Sequence, residues 1–271
     1  MTHNTHAELV RELTSRWPEH RVAPSLSRVA ALMELLGDPQ RAMPVIQVAG
    51  TNGKGSTAIM IETVLRATGL RTGRFASPHL SDVRERIVID GEPISEERFD
   101  EVWADVAPYV AMVDEQAHDG VAMTFFEVIT GMAYAAFADA PVDVAVMEVG
   151  LGGRWDATSV ADAAVAVVAP IGLDHTHILG GTIAEIAGEK AGIIKPNCTA
   201  IIGRQPHEDE VMPIIEAAAK ENHASLVRDG VESEVVTRVP AVGGQVATLR
   251  TPNGTYTEVP IAKFGEHQAH N

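Results

Sequence analysis

The segment Gly50-Thr51-Asn52-Gly53-Lys54-Gly55-Ser56-Thr57 carries the residue types that hold phosphate. Glycines let the backbone turn tightly and aim several N–H groups at one point, and a helix starting there adds partial positive charge from its amino terminus. Lys54 offers a point charge for outer phosphates, and Ser56 or Thr57 a hydroxyl near phosphate or Mg2+. The spacing departs from the G-x-x-x-x-G-K-[ST] rule, because Gly50 lies three residues before Gly53 and Gly55 separates Lys54 from Ser56. A plain glycine-rich turn is the alternative, and the lysine with its flanking apolar runs favours phosphate. The loop by itself leaves the reaction open.

Other residues bear chemistry with a simpler explanation beside it. Glu148 ends the apolar run Val144-Ala145-Val146-Met147, and burying a carboxylate there is costly without a cation or donors. Facing a phosphate loop, it would ligate Mg2+ or position water. Ser77-Pro78-His79-Leu80 reads by itself as a strand stopped by proline, and His175 as a hydrogen-bonded loop residue. Lys190 lies at a helix end, where the dipole alone favours a cation. Thr124-Phe125-Phe126-Glu127 is a capping box at a helix start. No convincing Ser-His or Cys-His arrangement offers a protein nucleophile.

The elements that must position these residues follow from periodicity. Val45–Ala49 is a short apolar run before the loop, and Ile59, Ile61, Val64, Leu65 and Leu70 after it keep a helical spacing, giving strand, loop, helix. Further strands are predicted at 74–77, 143–149, 163–169 and 199–203, with helices at 95–116, 124–138 and 183–194. This alternation predicts an α/β fold, a mainly parallel sheet flanked by helices, with ligands at the carboxyl ends of its strands. Two short helices, broken near Pro18 and Pro24, fill a leading segment over 1–40. Residues 86–94 form a small hairpin, because Asp90-Gly91 supplies the positive φ angles of its turn. From 226 to 262 short alternating segments predict an antiparallel β appendage.

Composition excludes several classes. The chain has 271 residues, 45% of them hydrophobic and 4% aromatic, with one cysteine and a formal net charge of −16. A single Cys198 excludes an internal disulfide framework, and the negative charge repels nucleic acid and anionic membranes. No run reaches the ~20 apolar residues of a membrane helix, so the expected compartment is the cytoplasm.

Taken in order, Gly50–Thr57, Ser77–Leu80, Thr124–Glu127, Glu148–Arg154, Arg154–Thr158, Leu173–His175, Glu189–Gly192 and Gly265–Asn271 resemble motifs of the dihydrofolate synthase/folylpolyglutamate synthase family within the Mur ligase superfamily. The resemblance runs from about Arg28 to Asn271. It implies ATP on Gly50, Thr51, Asn52, Gly53, Lys54, Gly55, Ser56 and Thr57, with Asn271 at the adenine. It implies two Mg2+ ions bound by Ser77, Glu148 and His175, the second also by a carbamylated Lys190. Lys54, Glu148, His175 and Lys190 are then the catalytic residues. Thr124 and Phe126 line a pterin pocket, and Asp156 and Ala157 meet the pterin, Asp156 being suited to accept two hydrogen bonds from its donor edge.

The implied reaction, part of folate biosynthesis and one-carbon metabolism, phosphorylates a dihydropteroate or folate carboxylate with ATP. The amine of L-glutamate then attacks the acyl phosphate, and ADP and phosphate leave. Residues 1–271 are expected to be one Mur-ligase-type ATP-binding domain, acting as a monomer without nucleic acid or membrane. Because the sequence stops on Asn271, inside a motif, the family's carboxy-terminal domain is expected to be absent and this fragment inactive alone. The alternatives are a Mur-type cell-wall ligase, which Thr124–Glu127 and Asp156–Thr158 speak against, and a nucleotide-binding module without turnover.

Overall fold

A computed structural model describes residues 5–16, 25–116 and 118–271. The leading helices are α1 (His6–Ser15) and α2 (Ser27–Leu35), whose buried faces present Leu9 and Leu13, and Val29, Leu32 and Met33. The expected break near Pro18 and Pro24 lies outside the described residues. The chain forms two compact units, Met1–Gln47 with Ala58–Asp162, which includes both leading helices, and Val48–Thr57 with Ala163–Asn271. Strand β1 (Val45–Ala49) begins in the first unit and ends in the second, and helix α3 (Lys54–Ala67) returns the chain to the first.

The first unit continues with β2 (Thr72–Phe75), β3 (Ile87–Ile89), β4 (Glu92–Pro93), α4 (Glu96–Gln116), α5 (Phe125–Asp139) and β5 (Val144–Glu148). Its strands lie in the order β4-β3-β2-β5-β1. β2 runs parallel to β5, from Thr72 opposite Val144 to Phe75 opposite Met147. Every residue of β5 is buried, as expected of a strand covered on both faces. The predicted hairpin is present: Asp90 and Gly91 have φ of 51° and 85°, both in the left-handed region that a type I′ turn needs. Helix α5 buries residues around nearly its whole circumference. It lies so close to β2 that a Cβ on Gly73 would stand 2.7 Å from the Phe137 ring.

The second unit contains β6 (Val165–Val168), α6 (Thr176–Leu179), α7 (Ile183–Ala191), β7 (Thr199–Ile202), α8 (Glu208–Glu221), β8 (Ser225–Arg228), β9 (Glu234–Ala241), β10 (Gly244–Thr251), β11 (Gly254–Ile261) and α9 (His267–His270). β6, β7 and β8 are parallel neighbours, whereas β9 to β11 make a separate antiparallel sheet. Two expectations change here. Leu226–Arg228, expected in the appendage, pairs in parallel with β7, because a short half-buried strand carries no sign of its partner's direction. Helix α8 has no counterpart among the predicted elements. Its buried stripe is only Val211, Ile215 and Ala219, interrupted by Pro213, too thin for apolar periodicity to reveal. The fold class is otherwise as read, α/β with a mainly parallel sheet, flanking helices and a small antiparallel sheet near the carboxy-terminal end.

Candidate active site

In the second unit the glycine loop leaves β1 and enters α3. Gly50 has φ 154°, and a Cβ there would stand 2.7 Å from the Cβ of Ala169; Gly53 has φ 83°. Glycine is required at both, for space and for conformation. The loop amides divide by function. Thr51 N–H and Asn52 N–H both donate to the Pro170 carbonyl, at 2.9 and 3.2 Å, and the Thr51 hydroxyl donates to Gly172 O and accepts from Gly172 N, each at 3.0 Å. Those groups fasten the loop to the turn after β6. The amides of Lys54, Gly55 and Ser56 open α3, where no intrahelical acceptor exists, so a phosphate is offered these. Thr57 is buried and its hydroxyl donates to Gly53 O at 2.9 Å. Half-buried Ser56 is left as the hydroxyl for phosphate or cation.

Two lysines converge on one atom. Lys54 Nζ donates to the Gly50 carbonyl at 3.0 Å and reaches Thr51 O at 3.5 Å, while Lys190 Nζ donates to the same Gly50 oxygen at 2.8 Å. Lys190 is 4% exposed and projects from α7, whose start is fixed by a Thr182–Glu185 capping box. His175 precedes α6 with φ 49° and is exposed; its backbone N–H donates to Asp174 Oδ1 at 2.8 Å.

A cavity of about 550 Å3 opens beside the loop, and its walls include Asn52, Gly53, Pro170, Arg204, Gln205, His267 and Asn271. Three sequence-predicted nucleotide residues, Asn52, Gly53 and Asn271, thus share one chamber. Arg204, Gln205 and the turn at Pro170 were not singled out from sequence. Their position just after predicted strands is the signal that could have found them.

In the first unit, Glu148 ends β5 at 5% exposure and accepts a hydrogen bond from Ser77 N–H at 3.3 Å. The pair brings a carboxylate and a hydroxyl-bearing residue together, and oxygen donors of this kind suit Mg2+. Among the described residues no group of three or more His, Cys, Asp or Glu could hold a metal ion. Arg74 adds positive charge beside Glu148. Burial lowers its pKa, opposed by the charges of Glu62 and Glu148. Arg86 donates from Nε to His79 Nδ1 at 2.8 Å and covers the Phe125 ring.

The expected pterin residues also lie in the first unit. Thr124 performs the predicted capping, accepting from Glu127 N while Glu127 Oε2 accepts from Thr124 N at 2.8 Å. Arg28, 1% exposed on α2, donates to the same carboxylate from Nε at 3.1 Å and Nη2 at 2.8 Å. Phe126 packs 5.7 Å from the Phe75 ring and against Gly150, where a Cβ would stand 2.5 Å from it. Asp156 is buried and its oxygens accept from Leu151 N at 2.9 Å, Thr158 N at 3.0 Å and the Thr158 hydroxyl. Burial pushes its carboxyl pKa up, and these hydrogen bonds pull against that. Ala157 beside it is buried.

The signature of the Mur ligase middle domain matches residues 102–271. The chain belongs to the Mur ligase family. This Mur ligase chain is 51% identical over 270 residues to the dihydrofolate synthase/folylpolyglutamate synthase of Mycobacterium tuberculosis, a match covering 96% of the chain and 55% of that protein. Its fold matches Mycobacterium tuberculosis folylpolyglutamate synthase complexed with ADP at a TM-score of 0.92 and 49% identity, over 98% of this chain and 59% of that one. An FPGS complex with AMPPCP and folate matches at 0.91 and 33% identity, over 98% and 64%. The Mur ligase chain thus spans just over half the length of this curated relative.

Proposed function

We propose that this chain is the ATP-binding domain, residues 1–271, of a ligase that joins L-glutamate to dihydropteroate or folate. The carboxylate is phosphorylated by ATP, the glutamate amine displaces phosphate from the acyl phosphate, and ADP and phosphate are released. The observation that carries this reading is the glycine loop. Its helix-opening amides and Lys54 stand beside a chamber that Asn271 also lines, in a chain similar to proteins whose complexes hold ADP, AMPPCP and folate.

Each residue then has a task. The amides of Lys54, Gly55 and Ser56 hold phosphate oxygens, and Lys54 exchanges the Gly50 carbonyl for the outer phosphates. Mg2+, held by Ser77, Glu148, His175 and carbamylated Lys190, would supply positive charge to the migrating phosphoryl group. Carbamylation of Lys190 is supported by the two ammonium groups on Gly50 O, since turning one into an anion removes a like-charge pair. Thr124, Phe126, Asp156 and Ala157 receive the pterin.

We read the protein as a cytoplasmic monomer that binds neither nucleic acid nor membrane. A net charge of −16 supports this, and no helix of the described residues is long and apolar enough to cross a membrane. Calorimetry tests the binding step: the chain takes up dihydropteroate in the presence of ATP, whereas uptake of ATP alone leaves only a nucleotide-binding module. Full-length protein that released no phosphate with dihydropteroate, ATP and glutamate would sink the ligase reading.

A further inference from the structure

The phosphate loop is held by a neighbouring turn as well as by its own bonds. Thr51 N–H and Asn52 N–H end on one acceptor, Pro170 O, and the Thr51 hydroxyl is bridged to both backbone groups of Gly172. Gly50 closes against Ala169 with no room for a methyl group. The loop therefore takes part of its position from the turn 169–172, and what fixes that turn helps to fix the phosphate donors.

One side chain does so. Gln205 Oε1 accepts from Ile171 N–H at 3.0 Å, while Nε2 donates to Gly203 O at 2.8 Å and reaches Ala169 O and Val168 O at 3.5 Å. Gly203 N–H donates to Val168 O at 2.9 Å, so Gln205 stands where the pairing of β6 with β7 ends and stitches the two chains together one step further. A side-chain amide is suited to this because it presents an acceptor and donors on one planar group. Glutamate would turn a second acceptor toward the carbonyls, and asparagine is one methylene short.

We infer that Gln205 is a positioning residue for the phosphate loop, holding the Pro170–Gly172 turn to which Thr51 and Asn52 are bonded. The inference rests on the nucleotide reading of the loop. Gln205 carries no charge to a phosphate; it sets where the amides of Lys54, Gly55 and Ser56 stand.

The test compares ADP with AMP, which lacks the outer phosphate, by calorimetry on the 271-residue chain, with thermal melting alongside. Losing two hydrogen bonds in Gln205→Met is expected to lower the ADP-to-AMP affinity ratio roughly ten-fold. Thr51→Val, which removes the next link of the same clamp, is expected to lower the ratio as well and to be less than additive with Gln205→Met. An unchanged ratio in Gln205→Met, or an equal loss of ADP and AMP affinity that marks a damaged chamber wall, overturns the inference. Should Gln205→Met fail to fold, Thr51→Val alone decides, an unchanged ratio there overturning the clamp. Wild-type chain that binds no ADP strikes the nucleotide reading instead, so the two failures are told apart.

Discussion

At Gly50 the Nζ atoms of Lys54 and Lys190 donate to one carbonyl oxygen, at 3.0 and 2.8 Å. Two cations this close in a partly buried place repel each other by several kcal/mol at an effective dielectric of about 20. Adding CO2 to Lys190, the ammonium giving up one proton to become the attacking amine and a second on forming the carbamate, converts the repulsion into attraction. Labelled bicarbonate should therefore give a carbamate resonance in the wild-type chain that Lys190→Ala lacks; its absence in wild type would remove the support. Asp156 allows a different measurement. Burial raises its carboxyl pKa from the ordinary 3.8, so the folded chain binds that proton more tightly than the unfolded chain does. The associated stability is fully present below 3.8 and is lost as pH rises through the folded value. Denaturation at a series of pH values should show wild type losing stability relative to Asp156→Asn across that rise, and parallel profiles would contradict it. The residue types of the loop were legible because glycine and lysine at close spacing have few other uses. The duties of Thr51, Asn52 and Thr57 were not, because their partners are backbone groups that leave no mark on the sequence.

Helix α5 shows how an element is anchored at the end where function is expected. Its capping box was legible as a local pattern, Thr followed three residues later by Glu. The Arg28 guanidinium that grips the same carboxylate lies 99 residues away, and no local pattern announces it. Removing one partner of a buried ion pair costs about 3–5 kcal/mol, whereas losing a cap costs ~1 kcal/mol. Arg28→Met should thus lower the urea midpoint well below that of Thr124→Ala. Equal midpoints would mean that Arg28 adds nothing to the cap. Elements with broad apolar faces, such as α4 and β5, were found within a residue or two of their ends. Those with thin or half-exposed stripes, α8 and β8, were lost, because periodicity reports burial and they bury little.

For the molecule as a whole, a charge of −16 makes binding to polyanions unfavourable except where donors are gathered locally. The chain should pass unretained through heparin at low salt, and retention would reveal a basic surface that the formal charge conceals. Its division into units has a consequence for heredity. Val48–Thr57 belongs with Ala163–Asn271, yet Ala58–Asp162 stands between them in the gene. A single recombination event inside that interval gives offspring whose loop comes from one parent and whose Pro170 turn comes from the other. Loop and turn keep the same parent only when the interval between them undergoes no crossover or an even number of them, so shuffled libraries of such genes should be enriched, among their working members, for matched parentage at these two distant places.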